Sequence, residues 1–424
     1  MTDPSSRHAR RHPQTSSVSE GFDPRLSVMA VRPPIYPVST YCFPSAEDAA
    51  HYFEVALGKV EQRRGESIGL IYARLNHPNA EMFEDGLRGV EKGARAALAF
   101  TSGMAAITTT VLSIARPGQK ILYQRPVYGG TDHFFRSMLP EWKVEAIAVP
   151  DGGWQEAVRE HGATTALAYL ETPANPTLRM IDIRAVRSIL DRASPERRIP
   201  LAVDNTFLGP VFQSPLVHGA DIALYSATKF LGGHSDLVAG AVVTADERTA
   251  DPIRASRAFL GTICEPFTAW MLQRSLATLW LRMIKQSKNA SRLVSVIKAH
   301  PAVECVHYPT LLVGDQARIF EAQCNAPGSM IALELRGGRA AAFRFLNNLH
   351  IVRCAVSLGG VESLACHPRS TTASEMSEED LSASGVTEGL VRLSIGVEYW
   401  RDLEQDLRGA LDAALSSDDR GSGI

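Results

Sequence analysis

Two stretches decide the fold: "IPLAVDNTF" (199–207) and "DIALYSATKFLGGHSDLVAG" (221–240). Each opens on a short apolar run and stops on polar side chains, Asp204 and Asn205 in the first and Ser226, Thr228 and Lys229 in the second. Near-continuous apolar runs of this length read as strands covered on both faces. The pattern repeats upstream, where "AALAF" (96–100), "KILYQ" (120–124), "KVEAIAVP" (143–150) and "TTALAYLETP" (164–173) are each followed by an amphipathic stretch. "AGAVVTA" (239–245) closes the series. Alternating strand and helix units predict a mostly parallel sheet of the doubly wound α/β class. Ligands of such sheets lie outside the carboxyl ends of the strands, where the polar residues here collect.

The chain of 424 residues is 45% hydrophobic and 21% charged, which suits a soluble globular protein with a large core. Its 44 basic and 46 acidic residues leave a net charge of −2, so nothing points to nucleic acid or another polyanion as partner. No apolar run reaches the roughly 18 residues of a membrane span. The polar, basic start "MTDPSSRHARRHPQTSSVSE" lacks the apolar core of a signal peptide, so a cytoplasmic location is expected, with residues 1–25 as a disordered lead-in. The six cysteines show no CxxC spacing, so buried free thiols are expected rather than disulfides or a metal site.

From residue 268 the text changes to one long helical reading, "TAWMLQRSLATLWLRMIKQSKNASRLVSVIKAH" (268–300). A large domain over 80–275 and a C-terminal domain over 276–424 are expected. The second carries "SMIALELRG", "LHIVRCAVSLGG" and "LVRLSIGVE" as strands and "RDLEQDLRGALDAAL" as a closing helix, before a tail, "SSDDRGSGI", expected to fray.

The residues at the strand ends suggest one crevice. Gly103 in "TSGMAAI" marks a strand–turn–helix junction, where free amides and the helix dipole can hold a phosphate, with Ser226 and Thr228 as further donors. Asp204 follows an apolar strand, and a buried carboxylate needs a partner, such as a protonated ring nitrogen. Lys229, desolvated beside a cationic ring, would have a depressed pKa and could form a Schiff base. Tyr128 in "PVYGGT" could stack on a planar cofactor and donate a proton. Arg392, inside the apolar run "VRLSIGVE", calls for a carboxylate. Singly, each has a plainer reading as a turn glycine, an N-cap, a surface lysine, a core tyrosine or an ion pair. Glu171 and Asn175 stand at the end of another strand without an assigned role from spacing alone.

Together, "SGMAAI", "VYGGT", "ETPANPT", "AVDNTF", "YSATKFLGGHSDLVAG", "SLGGVESLACHP" and "VRLSIGVE" occur in an order and spacing that resembles the Cys/Met-metabolism family of pyridoxal-phosphate enzymes, of the cystathionine γ-synthase, cystathionine γ-lyase and methionine γ-lyase type. The resemblance runs from "IYARLNHPN" (71–79) to residue 398 and implies the fold type I architecture, with a seven-stranded sheet in a large domain and a smaller α/β domain. It implies pyridoxal 5'-phosphate as cofactor, Lys229 as the Schiff-base lysine, Asp204 as the partner of the pyridine nitrogen, and Gly103, Met104, Ser226 and Thr228 as the phosphate cradle. Tyr128 becomes the stacking tyrosine, and Arg392, Asn175 and Ser357 the clamp on the substrate α-carboxylate, with Val356 beside them. Tyr72 and Arg74 match a pair that reaches the neighbouring subunit's phosphate from an arm over 26–79. The implied partners are an amino-acid substrate and further copies of the chain in a homotetramer, with no nucleic acid, membrane or metal. The implied activity is γ-elimination or γ-replacement on a γ-substituted L-amino acid through Lys229. The alternative is β-elimination of cystathionine or cysteine.

Several positions depart from the family pattern. "YARLNHPN" stands where many members read "YSRSGNPT", so Asn76, His77 and Asn79 differ. Val356 replaces a glutamate and His133 an arginine that often accompany recognition of a distal amino-acid head group. Gly130 stands where γ-lyases carry cysteine, and "TTA" (371–373) replaces "MTH". Ser226-x-x-Lys229 also fits the S-x-x-K of penicillin-recognising hydrolases, but that reading needs S-D-N and K-T-G, and the chain offers only "HSDL". A non-catalytic relative would be expected to lose Lys229 or Asp204, and both are present.

Overall fold

Seven of the apolar runs form one sheet in the computed structural model, which describes residues 11–61, 66 and 68–415. They are β1 (Ala96–Phe100), β2 (Lys120–Gln124), β3 (Glu145–Val149), β4 (Thr165–Glu171), β5 (Leu201–Asp204), β6 (Ile222–Tyr225) and β7 (Gly240–Thr244), in the order β1-β7-β6-β5-β4-β2-β3. Only β7 runs against its neighbours, β1 and β6. Every residue of β1, β4, β5, β6 and β7 is buried, which is why these runs read as continuous rather than alternating. One face carries a core around Leu170, Leu201, Phe207 and Leu272, the other a core around Phe134, Phe135 and Tyr169. Each such side chain contributes about 1.5–3 kcal/mol by leaving water.

A second sheet has five strands: β8 (Val303–His307), β9 (Met330–Leu335), β10 (Arg353–Cys354), β11 (Leu364–Cys366) and β12 (Leu390–Ser394), ordered β10-β11-β12-β9-β8. The helices Leu279–Lys298, Gly338–Asn347 and Trp400–Leu415 supply the apolar faces of its core. "LHIVRCAVSLGG" contributes only the two residues of β10 to it. The rest turns away because Ser357 and Gly359 take positive φ values of 85° and 81°, which no strand accommodates.

The helix expected over 268–300 is instead two helices, Pro266–Leu276 and Leu279–Lys298, broken at Ala277 and Thr278. Side chains take over the carbonyl that the next turn would have used. The Thr278 hydroxyl and the Arg282 guanidinium both donate to Ser275 O, at 3.2 and 3.0 Å. No proline or glycine marks this break, so periodicity alone ran through it.

The lead-in also differs from expectation in its described part, where Pro13–Ser19 is helical and packs on the helix Pro78–Val90. Gly89 permits the approach: a Cβ there would sit 2.0 Å from Glu20 Oε2 and 3.0 Å from Ser16 Cβ. Residues 1–10 and the tail 416–424 lie outside the described residues. The six cysteines are free, but only Cys264 and Cys366 are buried; Cys42, Cys305 and Cys354 are exposed, the last two on β8 and β10 at the edges of the second sheet.

Candidate active site

The carboxyl ends of β1, β2, β4, β5 and β6 open into one cavity of about 540 Å³, closed on its far side by the 356–358 loop, Thr371, Thr372 and Arg392. Gly103, Met104, Tyr128, Asn175, Asp204, Ser226, Thr228, Lys229, Val356, Ser357 and Arg392 all line it, so eleven of the residues singled out in the sequence meet in one place. Tyr72 and Arg74 do not line it. They form their own pair at the surface, the Arg74 guanidinium 5.7 Å from the Tyr72 ring centroid and donating to Ala258 O at 2.6 Å.

Ser102 caps the helix Gly103–Ile114 by accepting from the Ala105 amide, which leaves the Gly103 and Met104 amides at the cavity end of the helix. Glycine is required there. A Cβ on Gly103 would lie 2.9 Å from Ser226 Cβ, and one on Gly240 2.0 Å from Ser102 O. The Ser226 amide donates to Thr206 Oγ1, which fixes the Ser226 turn. The Thr228 hydroxyl donates to Ala239 O at 3.1 Å, so as a phosphate donor it would have to change partner.

Lys229 Nζ donates to Ser357 Oγ at 2.7 Å. Burial, then the positive charge of Arg392, pull the Lys229 pKa down to about 8. Asp204 is buried at the end of β5, with Oδ1 accepting from the Thr206 amide at 3.0 Å and Oδ2 from the Tyr169 hydroxyl at 3.4 Å. Burial raises its pKa, a cost that a cationic partner would remove. Arg392, 3% exposed on β12, donates to Asn175 Oδ1 at 3.2 Å and to Ser357 O at 3.0 Å. Its fork therefore sits across the cavity from the strand ends. Tyr128, 45% exposed, stands at the mouth before the short helix Gly129–His133.

These groups fit pyridoxal phosphate. An amine with a depressed pKa faces the same space as a buried carboxyl group that lacks a cation. A glycine-floored helix end offers amides for the phosphate, and Tyr128 presents an aromatic ring.

Sequence reasoning gave Glu171 no role. It is buried at the end of β4, where Oε2 accepts from the Tyr128 amide at 2.6 Å and Oε1 from the Asn175 amide at 3.1 Å. Thr206, Phe207, Val238 and Leu358 also line the cavity without having been singled out, and of these only "VDNTF" carried a usable signal. Gly130 and His133 line an adjoining cleft rather than the cavity itself. A Cβ on Gly130 would meet the Tyr128 ring at 2.7 Å, so the absence of a side chain there gives that ring its room. His77 and Asn79 are structural. His77 Nδ1 accepts from the Ala80 amide to cap the helix Pro78–Val90, and Asn79 ties down the arm through Tyr36 N and Pro34 O. Asn76 donates to Glu81.

The family model described as Cys/Met metabolism PLP-dependent enzyme matches residues 14–412. An L-methionine gamma-lyase of Pseudomonas deceptionensis is 38% identical over 401 residues, 94% of this chain and 97% of the relative. One from Pseudomonas putida is 37% identical over 94% of this chain and 97% of the relative. Among solved structures, cystathionine gamma synthase from Xanthomonas oryzae pv. oryzae in complex with cystathionine superposes with a TM-score of 0.85 at 32% identity, covering 95% and 98% of the two chains. An apo methionine gamma lyase from Micromonospora echinospora gives 0.81 at 34% identity, covering 96% and 100%.

Proposed function

The chain belongs to the Cys/Met metabolism PLP-dependent enzyme family, and from that premise we propose that it catalyses γ-elimination on an L-amino acid with a small uncharged γ-substituent such as a thioether. One observation carries the substrate class. Lys229, Asp204, Glu171 and Arg392 are the charged side chains among the residues lining the cavity; the cofactor and the substrate's α-carboxylate engage Lys229, Asp204 and Arg392, while Glu171 is taken up by the Tyr128 and Asn175 amides. Beyond them the lining carries no charge: Met104, Ile107, Phe207, Val238, Val356 and Leu358 are apolar, and Thr206, Thr371 and Thr372 offer hydroxyls only. A second amino-acid head group, as in cystathionine, would find no ionic partner among these lining residues. The relatives named L-methionine gamma-lyase agree with this reading.

When bound, the cofactor supplies an electron-withdrawing ring that stabilises negative charge on the substrate's Cα. The rest falls to the chain. The Gly103 and Met104 amides with Ser226 hold the phosphate, Asp204 holds the ring nitrogen's proton, and the Tyr128 ring covers the face. Lys229 holds the cofactor in the resting enzyme and, once displaced, its neutral amine takes the Cα proton. Arg392 and Asn175 grip the carboxylate and so fix which Cα bond stands across the ring. A second proton then leaves Cβ, its electron pair forms the Cβ–Cγ double bond and expels the γ-substituent, and the Tyr128 hydroxyl hands that departing group a proton. Water then completes formation of a 2-oxo acid and ammonia, while a thiol in its place would give γ-replacement.

Tyr72 and Arg74 complete the phosphate site of a second copy in this reading, within a homotetramer. Support comes from their position outside their own cavity, and from Phe259 beside Arg74's anchor at Ala258, which is 79% exposed. Six free thiols suit a reducing cytoplasm. The arm over 26–79 and the domains over 80–275 and 276–424 belong to the same proposal.

The test is an absorption spectrum of the purified protein followed by L-methionine, cystathionine, homocysteine and O-acetyl- and O-succinylhomoserine, with and without added thiol. A yellow protein releasing 2-oxobutanoate from methionine without thiol is expected. Turnover only with thiol would make it a γ-synthase, and pyruvate from cystathionine, or from cysteine added to the panel, a β-lyase. A protein that cannot be made to absorb in the visible with pyridoxal phosphate would overturn the reading.

A further inference from the structure

Glu171 is the one carboxylate of the cavity that neither faces the cofactor's cation nor pairs with Lys229 in the mechanism above, yet it is 5% exposed and conspicuously bonded. Its two oxygens take amides from two different loops. Tyr128 N donates to Oε2 at 2.6 Å, and Asn175 N donates to Oε1 at 3.1 Å. The first loop carries the ring and hydroxyl assigned to covering the cofactor and protonating the leaving group. The second carries the amide oxygen that receives Arg392 Nη1 at 3.2 Å.

We propose that Glu171 is a positioning residue, whose single carboxylate sets the Tyr128 loop and the Asn175–Arg392 clamp at a fixed separation on opposite sides of the substrate. The inference rests on the pyridoxal-phosphate reading of the site. Its chemical logic is one of acceptors. A carboxylate offers an acceptor on each oxygen, so one rigid planar group can hold two N–H donors at once. Glutamine offers one oxygen and turns an N–H₂ toward the other donor. Aspartate keeps both acceptors but falls short of the loops.

The arrangement is costly, which argues that it is kept for a purpose. Glu171 pairs in register with Asp204 across β4 and β5, so two carboxyl groups share one buried strand end. Burial, then Asp204, push the Glu171 pKa up to about 8, against the two amides and Arg392, which favour the charged form. A neutral isostere would remove that repulsion but would not bind both loops.

The test compares wild-type and E171Q holoenzymes for KM and kcat on the better substrate of L-methionine and O-acetylhomoserine, with visible absorbance and thermal midpoint as controls. Expected are unchanged absorbance and midpoint, KM raised about tenfold through the clamp, and kcat lowered about tenfold through Tyr128. In an N175A background the KM effect of E171Q shrinks to about twofold, and in Y128F the kcat effect shrinks likewise, because the side-chain group that Glu171 positions, the Asn175 amide oxygen or the Tyr128 hydroxyl, has already been removed while the backbone amides that bond Glu171 remain. E171D, which keeps a carboxyl group with two acceptor oxygens and loses the reach, gives the same split and serves if E171Q fails to fold. Wild-type constants in E171Q, or equal losses in all three backgrounds, would overturn the inference. So would parallel losses of absorbance and midpoint in both E171Q and E171D, the mark of a purely structural residue. A wild-type protein that neither absorbs in the visible nor turns over either substrate would overturn the cofactor reading itself, and this inference with it.

Discussion

Lys229 and Ser357 meet at 2.7 Å across the seam between the two sheets, and the serine that receives the lysine's amine is held at φ 85°. A serine in the left-handed region costs about 1 kcal/mol or more, which the surrounding loop has to overcome. What the strain achieves is contact between the reactive amine and the same loop that Arg392 grips through Ser357 O at 3.0 Å. The amine and the carboxylate clamp therefore share one piece of backbone.

The first prediction concerns the charge of that amine. Attack on the cofactor's carbonyl carbon needs neutral Lys229, and its pKa is drawn down to about 8. Below that pH each unit removes about tenfold of the neutral form; above it the gain stops. The uptake rate of pyridoxal phosphate by apoprotein, followed by visible absorbance, should therefore rise with pH and level off near 8. A rate still climbing toward pH 10 would mean an ordinary lysine. Lys229→Ala should abolish turnover and retain some non-covalently held cofactor.

Arg392→Lys tests the clamp. Lysine keeps the charge but not the planar fork that bonds Asn175 Oδ1 and Ser357 O together. We expect kcat/KM to fall about 100-fold, most of it in KM, because a carboxylate held bidentately loses one of its two bonds and its orientation. Cofactor absorbance should not change. Steady-state kinetics with a titration of the spectrum separates the two effects.

How much of this was legible in the sequence follows from which forces act locally. "AALAF" and "KILYQ" match β1 and β2 residue for residue because a short strand buried over all, or all but the first, of its residues has sharp polar borders. Asp204, Lys229 and Gly103 were readable because each closes or follows such a strand. Glu171 was visible as a strand-end carboxylate but not as a hub, since its partners are backbone amides, which leave no mark on residue type. The break at Ala277 and Thr278 was hidden because the group that captures Ser275 O is the side chain of Arg282, not a helix breaker. The Pro13–Ser19 helix was missed because it docks on small residues of a partner helix rather than on an apolar stripe of its own.

Val356→Glu probes the uncharged wall. Val356 lines the cavity and is 55% exposed, so a carboxylate there stays partly hydrated and should be tolerated by the fold. It would give the ammonium group of a distal amino-acid head an ionic partner. We expect the ratio of kcat/KM for cystathionine over methionine to rise about tenfold or more, the worth of one partly screened charge-assisted bond. An unchanged ratio would show that the distal end of the substrate does not pass Val356.

The last prediction concerns Asp380, on the helix Glu378–Ala383, which no motif singled out. Arg125 Nη1 donates to its Oδ1 at 2.5 Å, and Arg136 bonds its Oδ2. Asp132 completes the group, with Arg125 Nε 3.1 Å from its Oδ1. The two guanidinium groups hold the Asp380 carboxyl far below the usual carboxylate range, so the latch is fully charged at neutral pH and opens only in strong acid. It ties the C-terminal unit to the loop that carries Tyr128, and between them the Thr371–Ser377 segment lines the cleft at the cavity mouth. Arg125 and Asp380 are 22% and 11% exposed, so salt should screen them only in part, whereas Arg136 at 51% is open to it. Asp380→Asn keeps the volume and the Ser377 cap but leaves the two arginines only Asp132 as a shared anion, at 3.1 Å from Arg125 and 3.5 Å from Arg136. We expect stability to fall by about 1–2 kcal/mol and KM to rise several-fold with kcat little changed, because the mouth loosens while the chemistry stays in place. Wild-type KM should rise with added salt, and the variant's should not, since the variant has already lost what salt weakens. A KM equally salt-sensitive in both proteins would assign that sensitivity to substrate charge and remove the latch from the account of substrate entry.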